Sequence, residues 1–250
     1  MVITRARSQA AAFARQIEDL GGSVIEFPTI KILPPQSYDP LDRATEAIAS
    51  YHWIIFTSVN GVRHFWLRFQ HLKRSVRELK GVRVAAIGPE TARALEAIHL
   101  RADLVPREYR AEAILEALRP GEVRGKRLLL PRAAEARDIL PETLRAWGAE
   151  VDVVEAYRTV AGEADVASLR ALLTGKKIDV ITFTSSSTVH HFTQLFPGEG
   201  MGELLAGAAV ACIGPITQKT AEEKGVRVDI VPRDYTISGL TQAIVEYFSK

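Results

Sequence analysis

The sequence predicts an α/β protein of two similar domains, each a parallel sheet flanked by helices, joined by a two-stranded connection. The first observation is an internal duplication: IIFTSVNGV at residues 54–62 matches ITFTSSSTV at residues 181–189, 127 positions later. AAIGPETARAL and ACIGPITQKTA match independently, with Gly88 and Gly214 lying 126 positions apart. The second is the alternation of β-branched runs with helical patterns, which is typical of parallel sheets covered by helices. Each repeat, at roughly 125 residues, is long enough to bury a core.

The strands and helices follow one order in both repeats. In the first repeat, VIT precedes a helix with Ser8 as its expected N-cap and Gly21 as its stop. WIIFT precedes a second helix, and VRVAAI leads to Gly88 and Pro89. Pro89 suits a first helical turn, where its missing N–H is not needed. LVP then precedes the helix AEAILEAL, and the second repeat has the same order from RLLLP to IVEYF.

Two extended segments stand at equivalent ends of the first strand–helix–strand unit of each repeat. They contain FPTIKILPP and VEAYRTVAG, which are rich in β-branched residues and bounded by Pro or Gly. We therefore expect residues 28–36 and 155–163 to connect the domains.

Composition and charge narrow the class of function. The chain of 250 residues is 47% hydrophobic and 25% charged, with a net charge of +2 and an isoelectric point near 8.7. No long basic run appears, so we expect neither a nucleic-acid partner nor a membrane partner. Cys212 is the single cysteine, which excludes an internal disulfide and fits a reducing compartment. It lies in the apolar run AVACIG, as a buried strand residue would, and we expect a cytoplasmic protein.

Candidate binding residues follow the strands of both repeats, because ligands of open parallel sheets bind outside the carboxyl ends of the strands. Helix N-termini and hydroxyl groups at this edge form anion sites, so we expect a ligand with several carboxylates or phosphates. The alternative is that each Ser or Thr is only a helix cap. The candidates are Arg5, Thr57, Ser58, Asn60, Gly88, Thr91, Arg132, Thr184, Ser185, Ser187, Gly214, Thr217, Thr236 and Ser238.

Tyr157, in EAYRT, is the candidate catalytic residue. A tyrosine on a connecting strand can donate a hydrogen bond to a leaving oxygen. The alternative is an amphipathic side chain that packs at the junction, and the spacing alone leaves both open.

Other familiar chemistries find no support in the sequence. It contains no G-x-S-x-G, Walker or H-E-x-x-H pattern, and GEGMG at residues 198–202 is predicted to be a loop. The adjacent His190 and His191 have no ligand at metal spacing, so we expect neither a metal nor an organic cofactor.

The motifs VITRARSQA, WIIFTSVNGV, AAIGPETARAL, EAYRT and VITFTSSST, in this order, resemble the uroporphyrinogen-III synthase family. The resemblance implies a cofactor-free lyase of tetrapyrrole and haem biosynthesis. Such an enzyme dehydrates and closes hydroxymethylbilane to uroporphyrinogen III, inverting the terminal (D) pyrrole ring. It also implies a discontinuous first domain of residues 1–34 and 161–250 and a second domain of residues 38–156.

Carried over by position, the resemblance places the family's active-site tyrosine on Tyr157, although Ala156 replaces its usual apolar neighbour. The helix start near the C-terminus falls on Thr236 to Gly239, where many relatives have Pro after Thr. The implied partners are hydroxymethylbilane and, transiently, the upstream hydroxymethylbilane synthase, and we expect a monomer. The family's hydroxyl positions fall on Thr57, Ser58, Thr91, Ser185 and Thr217.

Two other classes of function stay open at this point. One is an enzyme for a phosphorylated small molecule that uses the same helix-start anion sites. The other is a two-lobed protein that binds such a molecule, or a polycarboxylate, without transforming it.

Overall fold

A computed structural model describes residues 1–136 and 138–249; Arg137 and Lys250, the last residue of the predicted first domain, lie outside the described residues. Backbone contacts divide the chain into two units. Unit 1 combines Met1–Ile32 with Val160–Lys250, and unit 2 is Leu33–Thr159. The predicted α/β class with parallel sheets is confirmed. The domain limits given by the resemblance stay a prediction.

Strands and helices alternate along the chain. The strands are β1 (Val2–Ile3), β2 (Ile25–Glu26), β3 (Ile30–Leu33), β4 (Trp53–Phe56), β5 (Arg83–Ala86), β6 (Arg127–Ala133), β7 (Glu150–Ala161), β8 (Val180–Phe183) and β9 (Ala209–Cys212). The α-helices are α1 (Arg7–Glu18), α2 (Asp39–Glu46), α3 (Val59–His71), α4 (Pro89–Glu96), α5 (Ala111–Ala117), α6 (Pro120–Val123), α7 (Ile139–Ala146), α8 (Val166–Thr174), α9 (Ser186–Gln194), α10 (Met201–Leu204), α11 (Pro215–Glu223) and α12 (Ile237–Phe248). Short 3₁₀ helices cover Ile48–Ser50 and Val76–Leu79.

The two sheets have the same strand order once the repeat spacing is applied. The unit 1 sheet has the order β2-β1-β8-β9, and the other sheet has the order β3-β7-β6-β4-β5. By the repeat spacing, β1 corresponds to β6, β2 to the start of β7, β8 to β4 and β9 to β5. The second sheet adds β3 to this shared order, and each sheet combines strands from both repeats, so the structural units are not the sequence repeats.

Helices cover both faces of the unit 1 sheet because its central strands are apolar on both sides. In β8, Ile181 and Phe183 pack into one buried cluster, whereas Val180 packs into another on the opposite face. The rings of Phe183 and Phe192 meet edge to face with centroids 5.2 Å apart. Because β8 is packed on both faces, its carboxyl end, which the candidate residues follow, is held in place by the core.

Most local predictions about helix ends and strands are confirmed. Pro89 and Pro215 are the first residues of α4 and α11, and Gly21, just beyond α1, has a φ of +82°. Cys212 is buried at the end of β9. Burial raises the pKa of its thiol to about 12.

Two local predictions are wrong. Helix α1 begins at Arg7 with Ala6 as its N-cap, so Ser8 lies inside the first turn, because the chain leaves the strand earlier than the hydroxyl pattern indicated. GEGMG is not wholly a loop, since α10 begins at Met201. Among the described residues, no helix is long and apolar enough to cross a membrane.

Candidate active site

In unit 2, a serine at the end of β4 organises the first part of the site. Ser58 has an extended backbone and caps α3, its Oγ accepting a hydrogen bond from the Gly61 N–H at 3.0 Å. Gly61 is required here because a Cβ atom would lie 2.9 Å from the Pro131 carbonyl oxygen of β6. The start of α3 therefore lies directly against the neighbouring strand, and Thr57 and Asn60 flank the capped turn.

Tyr157, on β7, reaches this turn from 99 residues away in sequence. Its hydroxyl lies 3.0 Å from Ser58 Oγ and also hydrogen-bonds the Asn60 side chain. The residue is only 7% exposed, and its ring stacks on His64 with centroids 5.5 Å apart and planes at 27°. The ring is therefore packed and the hydroxyl is hydrogen-bonded within unit 2, and the catalytic role of Tyr157 stays a prediction.

Burial determines the protonation of this pair of rings. Burial raises the pKa of Tyr157, and the hydrogen bonds with Ser58 and Asn60 oppose that rise. Burial, with a contribution from the Arg63 charge, lowers the pKa of His64. A phenol and a neutral imidazole therefore face each other at neutral pH, with a donor proton held at the strand edge.

Sequence reasoning missed His64. The available signal is its position four residues after Asn60, which places both side chains on one face of α3.

Glycines that begin helices form a second matched feature of the two units. Gly88 precedes α4 and Gly214 precedes α11, each with an extended backbone. A Cβ atom on Gly88 would lie 3.0 Å from the Tyr109 ring, and one on Gly214 would lie 3.2 Å from the Tyr235 ring. Each tyrosine thus packs on a bare helix start in the same way.

Both of these helices also carry a candidate threonine in their first turn. Thr91 in α4 and Thr217 in α11 are both buried. Neither of the two side chains is displayed on the open surface of its unit.

Unit 1 contains the counterpart of the Ser58 turn. Ser185 caps α9, accepting from the Thr188 N–H at 3.3 Å, and its Oγ lies 2.9 Å from Ser187 Oγ. Thr184 precedes the cap and is partly exposed. At the repeat spacing of 127, the residue that corresponds to Tyr157 is Ile30, which is buried. The duplicated site therefore has a phenol in one copy only.

The remaining unit 1 candidates lie at other strand ends and helix starts. Thr236 caps α12 by accepting from the Gly239 N–H at 3.0 Å, and Ser238 is exposed in the first turn of that helix. Arg5 is partly buried after β1. A cavity of about 350 Å³ in this unit is lined by residues that include Arg7, Ser8, Pro28, Ile30 and Lys31.

Arg132, in unit 2, is a candidate whose charge is paired within the protein. Its side chain is buried, and its guanidinium contacts the Asp138 carboxylate. Within residues 1–136 and 138–249, no three His, Cys, Asp or Glu side chains are grouped to hold a metal ion.

Comparison with known proteins gives a consistent result. Residues 11–242 match the model of a protein family described as "Uroporphyrinogen-III synthase HemD". The uroporphyrinogen-III synthase of Synechococcus elongatus is 36% identical over 99% of this chain and 94% of its own. The uroporphyrinogen-III synthase of Chlorobaculum parvum is 29% identical over 98% of both chains.

Solved structures show the same fold. A crystal structure of a mutant uroporphyrinogen III synthase from Thermus thermophilus matches with a TM-score of 0.71 at 18% identity, covering 99% of this chain and 98% of that one. Uroporphyrinogen-III synthetase from Helicobacter pylori gives a TM-score of 0.62 at 17% identity, covering 98% of both chains.

Fold, strand-end site and relatives together define an α/β enzyme of porphyrin biosynthesis, a cyclising lyase that acts on a small molecule. The chain belongs to the uroporphyrinogen-III synthase family.

Proposed function

We propose that this chain closes hydroxymethylbilane to uroporphyrinogen III with inversion of the D ring, and that Tyr157 assists the departure of the hydroxyl group. The observation that carries the assignment of Tyr157 is its hydroxyl, 3.0 Å from Ser58 Oγ at the carboxyl end of the unit 2 sheet. The other copy of this duplicated site has Ile30 instead. A site that only binds a ligand symmetrically needs no difference between Tyr157 and Ile30. A site with one proton donor needs a hydroxyl group in one copy.

The hydrogen bonds around Tyr157 orient its proton. Ser58 Oγ already accepts the capping bond from Gly61, so its own proton is free to be donated to the phenolic oxygen. The Asn60 amide supplies a second donor. With two bonds accepted by the phenolic oxygen, the Tyr157 O–H is left to donate outward, toward a substrate oxygen.

The proposed step balances in atoms and charge. The C–O bond of the hydroxymethyl group breaks, and its electron pair leaves with the oxygen, which takes the Tyr157 proton and departs as water. The azafulvenium cation that remains, with the Tyr157 phenolate as its counter-ion, is attacked by the substituted carbon of the D ring, giving a spiro intermediate that reopens and recloses with this ring inverted. The proton released on closure equals the one given, so the phenol is restored.

Substrate binding is assigned to the duplicated strand ends. The capped turns after β4 and β8 and the helix starts at Gly88, Gly214 and Thr236 present backbone N–H groups, which suit the acetate and propionate groups of a linear tetrapyrrole. The many donors hold a flexible chain in one reactive geometry, which is an orientation effect rather than a charge effect. Arg132 then serves as a support for β6 rather than as a substrate ligand.

The enzyme acts on a small molecule of porphyrin biosynthesis. We propose further that it works as a cytoplasmic monomer without a metal or organic cofactor, receiving hydroxymethylbilane by transient contact with hydroxymethylbilane synthase.

The function is tested by following freshly made hydroxymethylbilane with and without the purified chain. Consumption faster than the spontaneous closure seen with heat-denatured protein supports it. Equal rates with native and denatured protein would remove the proposal.

A further inference from the structure

Unit 2 contains a second cavity that the proposed reaction does not use. It has a volume of about 460 Å³ and lies beside the first residues of β6 and β7, at the amino end of these strands. The candidate active site lies at their carboxyl end. The polar side chains that line it are Arg43 of α2, Tyr51, Arg127 of β6, Arg145 of α7 and Asp152 of β7.

One arginine and the carboxylate neutralise each other. Arg127 donates to Asp152 Oδ2 from Nη2 at 2.8 Å and from Nε at 3.1 Å, and to Ser50 Oγ at 2.8 Å. Its guanidinium lies 4.5 Å from the centre of the Tyr51 ring, and the Tyr51 hydroxyl donates to Asp152 Oδ2 at 2.5 Å. Glu150, 3.6 Å from Arg127, is 71% exposed and faces solvent.

Among the described residues that line the cavity, two further arginines have no carboxylate to compensate their charge. Arg145 donates from one Nη to the Val151 carbonyl oxygen at 2.8 Å, and the rest of its guanidinium remains available. Arg43, which also lines the cavity, is an exposed residue of α2. Guanidinium groups bind phosphate and carboxylate through paired hydrogen bonds.

The backbone of β7 adds neutral donors to the same wall. The Glu150 N–H donates to the Lys126 carbonyl at 2.8 Å, and β6 and β7 run parallel. Since successive residues of a strand present their N–H groups to alternate edges, Val151 and Val153 present theirs to the edge away from β6. The bond from Arg145 to the Val151 oxygen marks this edge as the cavity side.

We propose that this cavity is a binding site for a small polyanion with phosphate or paired carboxylate groups, held by Arg43, Arg145 and the edge of β7 that faces away from β6. Arg127, Tyr51 and Asp152, which contact one another, also line it. The cavity is separate from the Tyr157 site, so occupancy does not depend on the proposed reaction.

Titration calorimetry of the full chain tests this, with pyrophosphate and citrate as the two probes. We expect saturable binding of at least one probe, weakened about tenfold or more by Arg43→Ala and by Arg145→Ala, since each removes a paired contact. Arg101→Ala, which removes an exposed arginine outside the cavity, should bind as the parent does. Tyr157→Phe, which changes the active site and not this cavity, should also leave the affinity unchanged.

Two outcomes would overturn the proposal. One is a dissociation constant weaker than about 1 mM for both probes in the parent. The other is parental affinity in the doubly substituted Arg43→Ala/Arg145→Ala chain. Arg145→Lys, which keeps the charge, controls for a folding defect and should retain part of the affinity. Preference for pyrophosphate or for citrate then distinguishes a phosphate ligand from a carboxylate ligand.

Discussion

At the scale of single residues, Tyr157 is distinguished by what surrounds its oxygen. Its ring is buried against His64, and its hydroxyl is held by two polar side chains of the capped turn. Burial raises the pKa of Tyr157, so the phenol keeps its proton over the range in which most enzymes work. Because Tyr157 is protonated before the reaction at working pH, it contributes to the rate without adding a pH dependence of its own.

Tyr157→Phe removes the hydroxyl and keeps the ring. We expect the turnover rate to fall about tenfold to a few hundredfold, because solvent replaces the lost donor only partly. The product should stay largely the inverted isomer, and the free energy of unfolding should change by no more than about 1 kcal/mol. Tyr247→Phe, an exposed tyrosine in α12, is the matched control. Parental turnover by folded Tyr157→Phe would leave Tyr157 with a packing role only.

His64 should make folding stability depend on pH. Burial lowers its folded-state pKa below 6.5, so the unfolded chain binds more protons as pH falls. This stabilising contribution is present above pH 6.5 and is lost as pH falls from there through the folded-state pKa. His64→Phe keeps the stacked ring and removes the titration. The parent should therefore lose stability relative to the variant on acidification, by less than about 1 kcal/mol because the group is only half-buried.

Urea unfolding of both chains at roughly pH 7.5 and pH 5.5 measures this difference. His190, whose pKa is also lowered by burial, is present in both chains and cancels. A stability difference that is the same at both pH values would refute the assignment.

Sequence patterns identify some of these residues and not others. Ser58 is predictable because a serine after a buried strand and before a helix is a typical cap. Its contact with Tyr157 is not, because the two residues are 99 positions apart and only the order of β4, β6 and β7 brings them together. The replacement of Tyr157 by Ile30 in the other repeat is available from the sequence, once the spacing is known.

At the scale of elements, the helix starts show how the two copies have diverged. Ser58 and Ser185 cap equivalent helices in the same way. Helix α12 is capped by Thr236, whereas Arg110 precedes the equivalent α5 and gives no side-chain cap. Ser8 was predicted to cap α1 because a lone serine near a strand end fits the same pattern. In the structure α1 begins at Arg7 with Ala6 as its N-cap, so Ser8 already lies within the first turn.

Gly239 allows the tight start of α12. A Cβ atom there would lie 2.2 Å from the Asp234 carbonyl oxygen, so the loop or the helix must move to accept one. We expect Gly239→Ala to reduce the free energy of unfolding by about 1–3 kcal/mol, as overpacking does elsewhere. Gly202→Ala in α10, where the nearest atom is 4.0 Å away, should be neutral or slightly stabilising. Equal stability of the two variants in urea would contradict this.

At the scale of the whole molecule, duplication and folding units do not coincide. The sequence shows two consecutive repeats, but unit 2 takes β4 and β5 from the first repeat and β6 and β7 from the second. The spacing of motifs alone predicts two similar sheets. It does not predict which strands share a sheet, because pairing depends on contacts between distant segments.

Fragments of the chain distinguish units from repeats. We expect residues 33–159 to unfold cooperatively in urea, because they contain four neighbouring strands of one sheet and its core. A fragment of residues 1–126, one complete repeat, should not, since it separates β4 and β5 from β6 and β1 from β8. The proposed domains would be contradicted if residues 1–126 unfolded cooperatively and residues 33–159 did not.

We propose above all that this chain converts hydroxymethylbilane into the isomer whose D ring is inverted. The most direct measurement is chromatographic identification of the product isomer after hydroxymethylbilane is incubated with the purified, dialysed protein. We expect uroporphyrinogen III as the main product, while the protein-free reaction gives the uninverted isomer. Formation of only the uninverted isomer at the spontaneous rate would contradict it.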